Sequence, residues 1–310
     1  ARPASMLIGL LRSVERAQSG PRPVTLTYLT TGLAWQADYV ALFDESVGRM
    51  DVQGWITLTN NSGTEYRNAD TLLVAGAVGQ ANQVYGGRRR PPPPPGGPIR
   101  DPGTETSDRE RLGDFYLYPL PERTTIANRQ TKQVSFLDVA STPATRVYEY
   151  HNSWLGTQEQ PQSANTVLRF STGRDEGLGD ALPAGTVRFY QRDARGSPQF
   201  IGETSIGHTP MGSVLGLTTG QAFDVKVQPV VERRERINDS RWRTTMRYTL
   251  TNARPEPVTV VLIQSGLVGD TRIVEESLPS ESRWAGDALW QVPVPANGEA
   301  IVTATFDTRF

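Results

Sequence analysis

The sequence predicts an all-β protein assembled from antiparallel β-sandwich modules. Apolar and polar residues alternate with a period of two in many segments, which is typical of half-buried antiparallel strands. Threonine, valine and tyrosine are frequent in these segments, in agreement with their β-propensity. Helical periodicity is almost absent, and its best candidate, residues 6–18, begins with a stretch that fits a strand equally well.

The clearest alternation lies in two segments, one near each end of the chain. Trp35 and Tyr39 share one face of the first segment, and Trp242 and Leu250 share one face of the second. We therefore expect these four large side chains in the core. Strands are expected at residues 34–43, 51–60, 71–77, 133–139, 167–171, 186–190, 223–232, 242–252, 258–264, 289–293 and 300–306, and also at residues 24–29.

Turn residues separate the expected strands. Residues 60–63, 193–196 and 295–298 have the composition of hairpin ends, with asparagine, aspartate and glycine at the tips. Residues 55–60 also resemble residues 247–252, and each segment ends in asparagine at a turn. Two such segments do not establish a repeat, but they suit two sandwiches of related construction.

The length of 310 residues exceeds that of one typical domain. We expect a larger β-sandwich domain at residues 1–221 and an immunoglobulin-like β-sandwich at residues 222–310. Residues 86–108 contain five consecutive prolines beside glycines and an arginine run, so they are expected to form an exposed, mobile loop. The alternative for this segment is a proline-rich docking ligand.

The composition excludes several functional classes. The formal net charge of −1 gives no basic footprint for nucleic acid, and no apolar run approaches the length of a membrane span. There is no cysteine, which rules out disulfides, thiolate metal sites and a cysteine nucleophile. A chain that begins at Ala1 without a visible signal peptide is expected to be a mature or trimmed product.

Catalytic motifs are not recognisable. The sequence has no nucleophile elbow, P-loop or dinucleotide fingerprint, although a triad from distant residues remains an alternative. His151 and His208 are expected to be structural rather than catalytic or metal-binding. Glu275 and Glu276 are adjacent in a probable strand and therefore point to opposite faces.

One glycine-rich loop is a weak candidate for a calcium site. It gathers the three acids Asp175, Glu176 and Asp180 on a flexible turn, and calcium prefers oxygen ligands of this kind. The spacing does not fit a helix-flanked calcium loop, so a solvated turn is the favoured interpretation. We therefore expect the protein to fold without a cofactor.

Residues 28–39, YLTTGLAWQADY, resemble the opening signature of a bacterial family of unknown function whose members are often labelled mucoidy-inhibitor-A-like. The resemblance covers nearly the whole chain in order, with residues 86–108 as an insertion. It implies export from the cytoplasm and carries over no catalytic residue; the label hints at exopolysaccharide control. The resemblance continues at residues 54–61, 68–76, 114–118, 182–188, 201–203, 208–210, 220–225 and 290–296.

These observations predict a non-enzymatic binding or scaffold protein of the periplasm or cell surface. We expect a protein or glycan partner in the cell envelope, no nucleic acid and no membrane span, and the chain suits a homo-oligomer. One alternative is an envelope polysaccharide hydrolase with carboxylates from separate strands, which two carboxylates about 5–10 Å apart in one cleft would favour. The other is a subunit of a cell-surface assembly that pairs through edge strands.

Overall fold

The computed structural model describes residues 26, 28–75, 111–112, 115–120, 122–281 and 286–310. The described residues contain strands, turns and irregular segments but no helix, which confirms the all-β class. The proline-rich segment 86–108 and the helix candidate 6–18 lie outside the described residues.

The strands are numbered in chain order. They are β1 (Leu33–Asp44), β2 (Arg49–Asn60), β3 (Tyr66–Ala69), β4 (Leu72–Ala75), β5 (Arg111–Leu112), β6 (Phe115–Pro119), β7 (Thr124–Ile126), β8 (Gln130–Asn152), β9 (Gln162–Ser171), β10 (Gly185–Arg192), β11 (Pro198–Ile206), β12 (Val214–Asn238), β13 (Arg241–Asn252), β14 (Val258–Gln264), β15 (Asp270–Glu276), β16 (Ala288–Val294) and β17 (Gly298–Arg309).

One large mixed sheet dominates the fold. Its main path runs in the order β11-β10-β1-β2-β8-β9-β12-β13-β17-β15, and β14 joins it through β8 and carries β16. Two small sheets, β3-β7 and β4-β6-β5, accompany it. The pairs β1–β10 and β8–β14 are parallel, so the expectation of purely antiparallel pairing is wrong for them. Their partners come from distant parts of the chain, whereas a tight hairpin would impose an antiparallel pair.

Two separate apolar cores lie along this sheet. Side chains of β1, β2 and β10 build the first core together with the small strands β4 and β6. Side chains of β12, β13, β14, β16 and β17 build the second. The long strands β8 and β12 serve both, because Leu137 and Leu217 belong to the first core, and Tyr148 and Val225 to the second. The boundary expected after residue 221 falls within β12 and remains a prediction.

The four predicted core residues differ in how far they are buried. Tyr39 and Leu250, in the middle of β1 and near the end of β13, are completely buried. Trp35 is only partly buried and packs against the first core near the start of β1. Trp242, the second residue of β13, is likewise only half-buried. Alternation predicts which face a side chain occupies but not how completely other strands cover that face.

Only one of the three predicted hairpin ends closes a hairpin. Residues 193–196 join the antiparallel strands β10 and β11 as expected. Residues 60–63 instead lead from β2 to β3, which pairs with β7. Residues 295–298 lead from β16, which pairs with β14, to β17, which pairs with β13 and β15. In these two cases the turn residues determine only the local change of chain direction. Which strand pairs with which depends on packing between distant parts of the chain.

The predicted strand at residues 24–29 is not formed where the structure describes it, because Leu26, Tyr28 and Leu29 lie outside any strand. All three of these side chains are exposed, so they gain nothing from the apolar burial that stabilises strands elsewhere.

The bounds of the other predicted strands agree to different extents. Strand β14 has the predicted bounds, whereas β8 has 23 residues and extends well beyond the predicted segment 133–139.

Candidate functional site

A large cleft lies between the two cores, where four chain segments meet. These segments are the β1–β2 turn, the middle of β8, the β10–β11 turn and the residues between β13 and β14. The cleft has a volume of about 1120 Å³, slightly above the usual range for ligand pockets. A smaller hollow of about 210 Å³ adjoins it and shares the wall residues Arg146, Tyr148, Gln191 and Arg254.

The cleft opens where β8 changes its neighbour. Strand β8 pairs with β2 as far as Pro143 and with β14 from Tyr148 onward. On its other side, β9 pairs with β8 without interruption from Ala144 to Glu149. The gap between β2 and β14 therefore leaves a short stretch of one edge of β8 as the floor of the cleft.

Glu45 lies at the centre of a polar network in this gap. One carboxylate oxygen, Oε2, accepts hydrogen bonds from Arg146 Nη1 at 2.7 Å and Gln191 Nε2 at 3.3 Å. The other oxygen, Oε1, accepts from Arg254 Nη2 at 3.3 Å. The turn of the first hairpin is thus tied to β8, to β10 and to the segment that follows β13.

Arg146 is more buried than Glu45 and Arg254, with a side chain that is 12% exposed. Its Nη2 donates to Gln191 Oε1 at 2.5 Å, and its guanidinium carbon lies 5.7 Å from the centre of the Phe43 ring, within cation–π range. Its Nε–H is buried and has no acceptor among the described residues. Hydrogen bonds and ring contact therefore fix the guanidinium, and one donor is left unpaired.

Two of the carboxylates in the cleft are close to one another. Arg254 contacts Glu45 and, through Nε, also Glu256 Oε2 at 3.7 Å. Because both contacts involve one guanidinium group, the two carboxylates are less than about 10 Å apart. This separation lies within the range of the acid pairs of glycosidases. Both oxygens of Glu45 accept hydrogen bonds, which hold its carboxylate in one orientation, whereas among the described residues the Glu256 carboxylate makes only the 3.7 Å contact with Arg254.

The other two acids of the cleft stabilise turns. Asp44 accepts from the Ser46 hydroxyl at 2.6 Å, and this hydrogen bond is the main reason why the pKa of Asp44 lies below its usual value. Asp193 accepts from the backbone N–H groups of Ser197 and Arg195, each at 2.9 Å, which lowers its pKa as well. A general acid needs a raised pKa, so these two groups are unsuited to that role.

The weak calcium candidate is not assembled. Asp175 and Glu176 are exposed, and the described part of the chain contains no group of three or more His, Cys, Asp or Glu residues that could hold a metal ion, so Asp175, Glu176 and Asp180 form none. The loop instead closes through its own backbone, where Leu178 N donates to Ser171 O at 3.0 Å.

Both histidines lie outside the cleft. His151 Nε2 is 3.8 Å from Glu149 Oε2 on the same strand, and the contacts with His151 and Arg169 lower the pKa of Glu149. His208 Nδ1 accepts a hydrogen bond from Ala184 N at 3.0 Å, and burial lowers the pKa of His208. Each histidine thus has a structural partner.

The residues at the centre of the cleft were not identified from the sequence. Glu45, Arg146, Gln191 and Arg254 come from four separate segments, and none belongs to a motif with chemical meaning. The one sequence signal was Phe223, which strict alternation in the expected strand 223–232 places on the same apolar face as Val225. It lies beside the smaller hollow and is 85% exposed, so that prediction is wrong.

Comparison with known proteins places no constraint on this site. No family model matches the chain, and the search of curated proteins found no match. Within the described ranges, no helix has the length and apolar character needed to cross a bilayer. Fold and site together define an all-β protein with a polar cleft between two cores.

Proposed function

We propose that this chain is a non-enzymatic binding or scaffold protein and that the cleft around Glu45 is its binding site. The observation that carries the proposal is the state of the Glu45 carboxylate, whose two oxygens are held by Arg146, Gln191 and Arg254. This network holds polar recognition groups in place along the wall of a large open cleft. Binding sites need such fixed polar groups.

We also propose that each core is the interior of a β-sandwich and that the C-terminal module, residues 222–310, is immunoglobulin-like. In support, the second core has side chains from β12, β13 and β17 together with side chains from β14 and β16. Packing between two groups of strands is the principle of a sandwich.

The proposed location is extracytoplasmic, at the periplasm or cell surface. Its support is the resemblance of the sequence to the mucoidy-inhibitor-A-like family, whose members are commonly exported. The partner is then a protein or glycan of the cell envelope. A sandwich suits this role because loops at its ends vary freely while the strands hold them in place.

Two rival functions each have one supporting observation. The proximity of Glu45 and Glu256 favours a polysaccharide hydrolase. The terminal positions of β11 and β15 in the sheet order favour assembly through edge strands, and Val274 on β15 is 53% exposed. We rank both below binding, because three side chains hold the Glu45 carboxylate and β11 already contacts β12 through the bond from Thr204 Oγ1 to Thr218 O.

The test compares binding with turnover. Neutral oligosaccharides, acidic oligosaccharides and synthetic peptides are titrated into the purified chain by calorimetry, and the same mixtures are analysed for cleavage products by mass spectrometry. We expect saturable binding without products, weakened in Gln191→Ala and unchanged in Gln53→Ala, because Gln53 is an exposed glutamine outside the cleft.

Two results would contradict the proposal. Products that disappear in Glu45→Gln or Glu256→Gln would establish the hydrolase. Rings or fibres that form with rising protein concentration, in the absence of saturable ligand binding, would establish the assembly subunit.

A further inference from the structure

We infer that the cleft binds a neutral oligosaccharide and that Phe223 is the platform on which a sugar ring stacks. The inference rests on the proposed function, because it names the class of ligand for the same cleft. Phe223 is the most exposed large apolar side chain of the described residues, at 85%, and it lines the smaller hollow beside Arg146 and Arg254.

The exposure of Phe223 is built into the backbone of β12. The pairing of β12 with β9 shifts register between Gln221 and Lys226, and the pairing with β13 begins only at Val225. Ala222 and Val225 are buried on the two sides of this irregularity, at 8% and 0%. The chain is thus anchored before and after Phe223, and the ring is directed outward from a fixed base.

A fixed, exposed aromatic ring beside a polar cleft matches the two surfaces of a sugar. A pyranose presents C–H groups on one face and hydroxyl groups around its edge. Phe223 offers an apolar face, while Arg146, Gln191 and Arg254 offer planar donor groups and Gln191 also offers an acceptor.

The charge of the cleft favours a neutral ligand. Three arginines, Arg146, Arg192 and Arg254, face four carboxylates in the larger hollow, so no positive excess attracts a polyanion. The carboxylate of Glu45 also holds two of these arginines in ion pairs. An acidic ligand would have to displace Glu45 from both.

The pairing of the strands disfavours a peptide bound by strand addition. The unpaired stretch of β8 is limited to the residues between Pro143 and Tyr148, and β2 and β14 close it at its two ends. A typical strand of about 5–6 residues does not fit such a gap. Strands β1 and β10, which also contribute to the wall, are paired on both sides.

The test uses neutral hexasaccharides of glucose and of N-acetylglucosamine, with hexagalacturonate and a serine- and threonine-rich hexapeptide as comparison probes. Calorimetric titration of the full chain should detect at least one neutral hexasaccharide. Phe223→Ala should weaken this binding about tenfold, the size of a loss of about 1.4 kcal/mol. Phe310→Ala is the matched control, since Phe310 is 74% exposed and lies outside both hollows.

A second variant guards against a folding artefact. Phe223→Tyr keeps the ring and should retain most of the affinity, and thermal melts should show that both variants fold. Binding of a neutral hexasaccharide that is insensitive to Phe223→Ala would overturn the inference.

The remaining outcomes separate the inference from the proposed function. Binding of only hexagalacturonate or the hexapeptide, weakened by Gln191→Ala, would overturn the neutral sugar and keep the binding function. Cleavage of a bound neutral hexasaccharide would keep the sugar and overturn the non-enzymatic function. If no probe binds, both fail.

Discussion

Asn60 and Asn252 make the same three hydrogen bonds at the ends of two different strands. The side-chain Oδ1 of Asn60 accepts from Ser62 N at 3.0 Å. Its Nδ2 donates to Thr64 O at 2.8 Å and to Ala127 O at 3.0 Å. The three contacts tie the end of β2 to the following turn and to the segment that enters β8.

Asn252 repeats this arrangement at the end of β13. Its Oδ1 accepts from Arg254 N at 3.0 Å, and its Nδ2 donates to Glu256 O at 2.8 Å and to Pro295 O at 3.0 Å. The partners occupy the same relative positions. Two of them lie two and four residues after the asparagine, and the third lies three residues before a paired neighbouring strand, β8 for Asn60 and β17 for Asn252. Asn60 and Asn252 are 0% and 2% exposed.

The strands around these two residues are also equivalent. Strands β2 and β13 each have 12 residues, and each lies between two antiparallel neighbours. Asn60 faces Leu33 and Gln130, and Asn252 faces Val225 and Gly298. The resemblance between residues 55–60 and 247–252 therefore extends to the strand pairing and the hydrogen bonds at the ends of β2 and β13.

The first prediction concerns this pair of asparagines. Asn60→Ala and Asn252→Ala should each lower the free energy of unfolding by about 1–3 kcal/mol, because buried backbone groups lose their partners. Urea denaturation measures the loss. Asn61→Ala is the control, since Asn61 is exposed and uses only its backbone N–H, toward Gly32 O. If Asn60→Ala and Asn252→Ala were as stable as Asn61→Ala, the hydrogen bonds of the two buried asparagines would not stabilise the fold.

The second prediction concerns the apolar core. Leu250→Ala should lower the free energy of unfolding by about 2–5 kcal/mol, because it removes a completely buried side chain from the second core. Ile301→Ala is the matched control, as Ile301 is 42% exposed on the neighbouring strand β17 and should change stability far less. Thermal or urea denaturation of both variants checks the difference.

The sequence predicted regular strands well because the alternation of side chains is a local property. Strand β14 has the predicted bounds, and Tyr39 and Leu250 are buried as expected. Phe223 was misplaced because a register shift against β9 reverses the side-chain direction, and pairing irregularities leave no trace in alternation. The cleft escaped prediction because Glu45 and Arg254 meet only through the arrangement of distant strands.

The third prediction concerns stability in acid. Arg241 contacts Asp307 Oδ1 at 2.7 Å and Arg243 contacts Oδ2 at 3.1 Å, which lowers the pKa of the buried Asp307 to about 2. Since this pKa lies below its value in the unfolded chain, about 3.9, the stabilisation is complete above that value. It is lost as the pH falls toward 2.

Asp307→Asn tests this dependence. The variant should be less stable than the parent at neutral pH, and the difference should shrink between about pH 4 and pH 2. Urea denaturation across this range measures it. Asp239→Asn is the control, because Asp239 is fully exposed. A difference that is independent of pH would show that Asp307 does not stabilise the fold through its charge.

The fourth prediction concerns His208. Burial of part of the ring lowers its pKa, and Nδ1 accepts from Ala184 N, so the folded state favours the neutral imidazole. This contribution is complete above the pKa of the unfolded chain, about 6.5, and is lost as the pH falls through the lower pKa of the folded state. His208→Asn keeps an acceptor for Ala184 N and should reduce the pH dependence of the melting temperature. An unchanged dependence would assign it to other groups.

The last prediction concerns the Glu45 network. Glu45→Ala removes the carboxylate shared by Arg146 and Arg254 and so disconnects the first hairpin from the segment after β13. We expect a loss of about 1 kcal/mol in the free energy of unfolding, more than a typical exposed ion pair contributes, because Arg146 is nearly buried and the contacts form a network. The comparison variant is Glu235→Ala, since Glu235 pairs only with the exposed Arg233 two residues away.

The salt dependence of the stability loss shows whether ion pairs or packing account for the effect of Glu45→Ala. In 1 M salt the Debye length shrinks to about 3 Å, so the loss caused by Glu45→Ala should become smaller if the ion pairs carry it. Urea denaturation of parent and both variants at low and high salt gives the comparison. A loss for Glu45→Ala no larger than for Glu235→Ala would mean that the network does not hold the cleft walls together, because exposed pairs contribute little.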